Sequence, residues 1–349
     1  MKLTFVINDI ATEKDNYTTI RLTRRAAAMG HDVSLVSLAD LSYEADGSIT
    51  ADGVMPSRSD CKDDTEMLAD LQREDAKRDR VCISEADVLM LRADPADEML
   101  ARPWAHSSSL LFAQLAAKQG VIVLNDPFRL TDASNKTYFQ HYPAAIRPRT
   151  IISRDEKVIT KFIEDEGGKA VIKPLQGSGG HGVFVITEGL GSNVNQMIEA
   201  TLRDGYAIAQ EYLPKAAEGD LRLITLNGRA LKVDNTYACI RRYNETDDAR
   251  SNISAGGKVE VVEPDADALR VAEMAGPKMI RDGMYMCGLD IVGDKMMEIN
   301  VDTPGGLCMI EDLTEVDFSG AILEDLEHKV RMQECYGKGA LGPHELAII

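Results

Sequence analysis

Apolar and polar positions along the first third of the chain alternate in a strand–helix–strand rhythm. Residues 3–7 form a short apolar run that predicts a strand, and residues 19–29, rich in Arg and Ala and closed by Gly30, predict a helix. A second strand is expected over 31–38. Residues 44–80 are acidic and weakly periodic, and read as a surface excursion ahead of a strand at 88–91. Apolar spacing then predicts a helix over 105–119, stopped by Gly120, and a strand over 121–124 ending in the turn Asn125-Asp126-Pro127. This is the pattern of a parallel, doubly wound α/β domain.

Beyond Asn135 the texture becomes strand-rich. Strands are expected at 170–174, 182–187 and 207–213, followed by a hairpin of 221–226 with 230–235 around Asn227-Gly228. A helix over 266–281, interrupted at Pro277, leads to a second hairpin, 287–292 with 296–301, and then to a last helix over 319–332. The tail 337–349 is expected to be loosely held. No internal repeat interrupts this α+β organisation.

Composition narrows the function. The 349 residues carry 39 Lys+Arg against 57 Asp+Glu, a formal charge of −18, and only 5% are aromatic. Such a surface repels polyphosphate backbones and offers few stacking platforms, which argues against nucleic acid as a partner. The opening apolar run stops at Asn8-Asp9, too soon for a signal-peptide core, and no later stretch approaches a membrane span, so no membrane partner and a cytoplasmic setting are expected. Six cysteines without a CxxC pair and six histidines without HExxH read as free thiols and ordinary imidazoles, not as a zinc site.

Two segments concentrate chemistry. In AVIKPLQGSGGHGVFVIT (170–187), Gly177, Gly179 and Gly182 satisfy GxGxxG, yet the sequence then runs into a β-branched strand instead of the helix a dinucleotide fold requires. Nor is Gly182 followed by the Lys-Ser/Thr of a P-loop. What remains is a strand, a glycine-rich turn and a strand, able to fold over phosphates through successive N–H groups, or else a plain loop. Lys173 lies just before that turn, where it either snorkels from a sheet edge or meets an anion; Lys136 reads as an exposed lysine in the first turn of a helix.

In GLDIVGDKMMEINVDTP (288–304), a hairpin closed by the three-residue loop Gly293-Asp294-Lys295 pairs Val292 with Met296 and sets Asp290 opposite Glu298. Parity then places Leu289, Ile291, Met297, Ile299 and Val301 on one apolar face, and Asp290, Glu298 and Asn300 on the other. Facing carboxylates repel unless a cation intervenes, and an all-oxygen set suits Mg²⁺; a solvated polar face is the alternative. Arg222, Arg241, Arg242 and Arg250 form either an anion site or a surface ion-pair belt. Residues 210–213 end a strand and offer backbone groups and Glu211 to an adenine and ribose.

In order, NDP (125–127), NK (135–136), IKP (172–174) with its glycine turn, QEYLP (210–214), GDLR (219–222), RSNISAGG (250–257), GLDIVGD (288–294) and EIN (298–300) resemble the ATP-grasp ligases, and within them the prokaryotic glutathione synthetase family. The resemblance implies an α/β ATP-grasp fold with a pre-ATP-grasp domain (1–130), a central lid domain (131–214), a C-terminal α+β domain (215–335) and a tail (336–349). ATP would lie between the last two domains. Lys136 and Lys173 would contact its phosphates under a loop of Gly177, Ser178, Gly179, Gly180 and Gly182. Gln210, Glu211, Tyr212, Leu213 and Asp220 would complete the nucleotide site. Asp290, Glu298 and Asn300 would hold two Mg²⁺ ions, with Mn²⁺ as an alternative, while Arg222, Arg242, Arg250 and Asn252 would face the acid substrate and its phosphate. The implied reaction joins γ-glutamylcysteine to glycine through an acylphosphate, in a homo-oligomer; the alternative is the same chemistry on a different acid and amine. Where the family has a hydroxyl-rich Ser/Thr-Pro turn after its Asn, this chain reads Val301-Asp302-Thr303-Pro304-Gly305-Gly306, so Asp302 is expected to alter a pocket near the acceptor.

Overall fold

The computed structural model describes residues 1–98, 102–133, 136–175, 182–187, 189, 191–203, 205–244, 257–346 and 348–349. The chain begins with strand β1 (Lys2–Ile7), helix α1 (Thr18–Ala28) and strand β2 (Asp32–Ser37), and continues through β3 (Ser42–Tyr43), β4 (Ile49–Val54), α2 (Asp64–Gln72), β5 (Arg78–Cys82) and β6 (Val88–Leu91). Helices α3 (Pro95–Glu98) and α4 (Pro103–Lys118), strand β7 (Ile122–Leu124) and helix α5 (Pro127–Asp132) complete the first layer. Strand order is β3-β4-β2-β1-β6-β7, with β5 on the free side of β4. The pairs β1–β2, β1–β6 and β6–β7 are parallel. Covered on both faces, β1 and β6 are almost uninterruptedly apolar, as buried parallel strands must be.

The segment 44–80 differs from the expected surface excursion, because β4 and β5 add antiparallel strands to this sheet and α2 packs against α1. Its weak periodicity has a physical reason. The strand β5 lies at the edge with Arg78, Asp79 and Arg80 exposed, and it is fixed by cross-strand charges, Arg80 bonding Asp52 at 2.9 Å and Glu44 at 3.1 Å. Helix α2 is capped by Asp63, which accepts from the Glu66 N–H, and its buried Asp64 receives Arg21 and Arg24 from α1.

A second sheet, antiparallel throughout, contains β8 (Thr150–Ser153), β9 (Ala170–Pro174), β10 (Phe184–Ile186) and β11 (Ala207–Glu211) in the order β10-β9-β11-β8. Helices α6 (Glu156–Asp165) and α7 (Ser192–Arg203) cover it, α6 burying Ile159 and Ile163 one turn apart. The apolar core of this unit, including Ile159, Ile163, Ile172, Ile186 and Ile198, is separate from the two clusters that run through the rest of the molecule.

The third sheet follows from β12 (Asp220–Leu226), β13 (Arg229–Ala230), a small ribbon of β14 (Lys232–Val233) with β15 (Thr236–Tyr237), β16 (Cys239–Tyr243) and β17 (Lys258–Val261). Helix α8 (Ala266–Arg281) leads to the hairpin β18 (Met286–Val292) and β19 (Lys295–Asn300), then α9 (Leu307–Thr314), α10 (Phe318–Tyr336) and α11 (Pro343–Leu346). The order is β17-β16-β12-β18-β19. The expected strand 230–235 is broken in two, β13 returning on β12 while β14 turns to β15. Helix α8 runs through Pro277 without the expected interruption. Gly276 before it has no Cβ to meet the proline ring, and buried Ala272, Ala275 and Met279 hold the helix on both sides. The tail is not loosely held either: Leu346 is buried, and the Lys329 ammonium donates to the carbonyls of Leu346 and Ile349.

Candidate active site

The functional side chains lie where the sheets meet. The hairpin β18–β19 closes with the two-residue loop Gly293-Asp294, pairing Val292 with Lys295 and Ile291 with Met296, so the three-residue loop expected from sequence is corrected. A bulge at Met297 then restores the register and leaves Asp290 opposite Glu298, the expected partner by a different route. In consequence Met296, not Met297, is buried with Leu289 and Ile291, and Met297 turns to the cavity.

Cross-strand pairing sorts the charges. Arg222 on β12 lies opposite Asp290, and Asp220 opposite Arg242 on β16. Arg222 clasps Asp290 with Nε 2.5 Å from Oδ1 and Nη2 3.0 Å from Oδ2, and Arg242 bonds both Asp220 and Asp290. Burial raises the Asp290 carboxyl, but the two guanidiniums outweigh it and hold the group below the usual carboxylate range. Two glycines make this packing possible. A Cβ on Gly288 would lie 3.2 Å from Arg222, and Gly219, at φ 101°, would drive one into the Arg242 carbonyl.

Beside this row opens a cavity of about 500 Å³. One end holds Lys136, Lys173, Gln210, Glu298 and Asn300. Lys136 stands 3.5 Å from Glu298, and Lys173 donates to Gln210 Oε1 at 3.3 Å, with Gln210 Nε2 continuing to Thr150. Burial lowers Lys173 to about 8, opposed by Glu298. The Asn300 amide NH₂ lies 3.3 Å from Asp290 Oδ2. Glu211 is drawn to Arg149, whose N–H and Nε it accepts at 3.0 and 2.9 Å, and Leu213 caps the short helical turn Pro214–Glu218 with Tyr212 half-buried before it. Gly182, at φ 69°, sits against Pro174. Gly177, Ser178, Gly179, Gly180, Arg250 and Asn252 lie outside the described residues.

The other end is built from the first layer and from the turn after β19: Asp94, Glu98, His106, Asp302 and Thr303. Among these, sequence reasoning singled out only Asp302. The signal for the rest was positional, since the crevice at the carboxyl ends of parallel strands is where open α/β sheets bind ligands, and Arg92 and Asp94 directly follow β6. Burial raises Asp302 to about 7, reinforced by Asp94 and opposed by Arg92. His106 lines the cavity with its Nε2 buried and unpartnered, and burial lowers its pKa.

Among the described residues no three His, Cys, Asp or Glu side chains form a metal-holding group. The oxygens gathered on β18 and β19 are two carboxylates and one amide, a hard donor set that fits a hard divalent cation and not a thiolate-seeking one.

Comparisons with known proteins identify the family and the fold. The family model of the prokaryotic glutathione synthetase N-terminal domain matches residues 1–130, and that of the ATP-grasp domain matches 135–315. A glutathione synthetase from Gloeobacter violaceus is 31% identical over 335 residues, covering 93% of this chain and 94% of that protein. One from Vibrio parahaemolyticus is 27% identical, covering 93% and 96%. Similar folds occur in the D-cycloserine synthetase DcsG (TM-score 0.60, 13% identity, covering 94% and 99%) and the macrocyclase MdnC from Microcystis aeruginosa (TM-score 0.61, 15% identity, covering 94% and 100%). A lysine-bearing antiparallel sheet facing a carboxylate-bearing hairpin is thus part of an ATP-grasp fold, and the chain belongs to the prokaryotic glutathione synthetase family.

Proposed function

We propose that this chain is an ATP-dependent carboxylate–amine ligase that joins γ-glutamylcysteine to glycine, releasing ADP and phosphate. The observation that carries the reading is the juxtaposition, in one cavity, of Lys173 from the second sheet, Glu298 and Asn300 from the third, and Lys136 from the turn before residue 138, inside a chain that spans nearly the whole length of its glutathione synthetase relatives. The reaction needs the donor carboxylate to attack the γ-phosphorus, giving an acylphosphate that the amine then opens with loss of phosphate. Lys136 and Lys173 would neutralise and align the phosphates, Gln210, Glu211, Tyr212, Leu213 and Asp220 would frame the nucleotide, and the 177–182 loop would exclude water from the labile intermediate. Family membership implies ATP and a divalent metal; two Mg²⁺ held by Asp290, Glu298 and Asn300 are our assignment, and such ions supply charge neutralisation during phosphoryl transfer. Arg222 and Arg242 would balance Asp290 and, with Arg250 and Asn252, face the acid substrate.

The same reading divides the chain into 1–130, 131–214, 215–335 and a tail 336–349. A homo-oligomer, which the family resemblance implies, and a cytoplasmic setting are part of this proposal; no described helix is long and apolar enough to cross a membrane. The test is metal-dependent phosphate release with γ-glutamylcysteine and glycine, and mass detection of the tripeptide. Turnover should fall at least about 100-fold in Glu298→Ala. Equal rates in the variant and the parent would overturn the assignment of Glu298, and robust turnover only with another acid and amine would overturn the substrates.

A further inference from the structure

The cavity is electrically polar along its length. Lys136 and Lys173 outweigh Glu298, the carboxylate that lines the cavity beside them, whereas Asp94, Glu98 and Asp302 have no described lysine or arginine in the lining next to them. These acids differ in what they already hold. Glu98 is occupied by Arg102 and by the Asn8 amide. Asp302 makes no hydrogen bond or ion pair to any described residue, and the positive charge described near it, Arg92, spends donors of its own on Thr19 and the Pro304 carbonyl. The turn that carries Asp302 is held from two sides: Arg92 grips Pro304 at 3.2 Å and Arg222 grips the Gly305 carbonyl at 3.1 Å. The carboxylate is therefore fixed in the cavity wall with no partner among the described residues.

We propose that Asp302 is a specificity-determining residue of this chain, whose carboxylate receives the remote α-ammonium of the γ-glutamyl donor. The inference rests on the functional reading above and deepens it. The reacting carboxylate of the donor is anionic and belongs at the lysine end, beside the phosphates. Glycine must present a neutral amine to that same end and so brings no lasting cation, and both its carboxylate and the α-carboxylate of the donor must point away from Asp94 and Asp302. The group left for the acidic end is one that stays cationic through the whole reaction, and the donor α-ammonium is that group. An ammonium with three donors also suits an acceptor whose oxygens are unclaimed.

The experiment compares γ-glutamylcysteine with its deamino analogue, glutarylcysteine, as donors for glycine in the full-length parent, Asp302→Asn and Asp302→Thr. Loss of a charge-assisted hydrogen bond is worth about 10- to 100-fold. In the parent, KM for glutarylcysteine should exceed that for γ-glutamylcysteine by such a factor. In both variants the preference should vanish, because KM rises for γ-glutamylcysteine while KM for glutarylcysteine and for ATP stays level. A parent that does not distinguish the donors overturns the proposal even if neither variant folds. Equal changes for both donors would assign Asp302 to support of Arg92, and a change confined to the KM of glycine would move the ammonium to the acceptor; either result overturns it. If the parent makes no tripeptide at all, the functional reading fails instead.

Discussion

Single side chains tie distant segments together here. Asn125, at the end of β7, donates to the carbonyls of Met286 (3.0 Å) and Val301 (2.5 Å) and accepts the Met286 N–H at 2.9 Å. Its amide thus welds the first sheet to the strand and the turn that frame the cavity. Asn125→Ala leaves three buried backbone groups unpaired and should cost about 3 kcal/mol in chemical denaturation. Glu13 makes a different prediction. It is buried with Oε2 unpartnered, and burial lifts it from 4.5 to about 7, with Arg92 opposing. The folded protein binds that proton more tightly than the unfolded chain, so the contribution is intact below pH 4.5 and lost as pH rises through about 7. Glu13→Gln should stabilise the protein at pH 8 by about 3 kcal/mol and do little near pH 4, as read by urea melts at the two values.

Parity of a hairpin is written in its residues, which is why Asp290 and Glu298 could be set face to face from sequence. The bulge at Met297 could not, because it compensates for a tighter loop around Gly293, at φ 57°: either change alone would move Glu298 off Asp290, and the two together leave the same carboxylates facing. The neighbours of Asp290 were hidden for another reason. Arg222 and Arg242 reach it through pairing of β12 with β18 and β16, a register set by contacts tens of residues apart. The region 44–80 escaped because edge strands expose charge where a central strand would show apolar residues. Elements at the far end of the chain also carry more than their sequence suggests. Helix α11 lays Leu346 into the core and offers carbonyls to Lys329, a fully buried ammonium that also donates to Asn227 at 2.9 Å and lies 3.4 Å from Asp325. Removing residues 343–349 should lower stability by about 2–4 kcal/mol, measured by denaturant titration, since it opens a void and strips a buried charge of acceptors.

At the scale of the whole molecule, the apolar clusters are unevenly shared. Two of them run through both the first and third sheets, joining residues as distant as Val6 and Leu289, whereas the second sheet keeps a core of its own. What joins that sheet to the remainder includes polar contacts: the Lys136–Glu298 pair, the Lys136 N–H to the Leu175 carbonyl, and Lys295 on the Ala145 carbonyl. Units with private cores and polar seams loosen separately. Amide exchange in β8–β11 should therefore run faster than in β1, β12 and β18, and nucleotide with a divalent ion should slow it selectively; uniform protection across the three sheets would contradict this. Thermodynamically, the segregated core makes the second sheet the cheapest part of the molecule to displace. A nucleotide bound against it would act as mortar, contributing its affinity to the cohesion of two masses that hydrophobic burial has left apart.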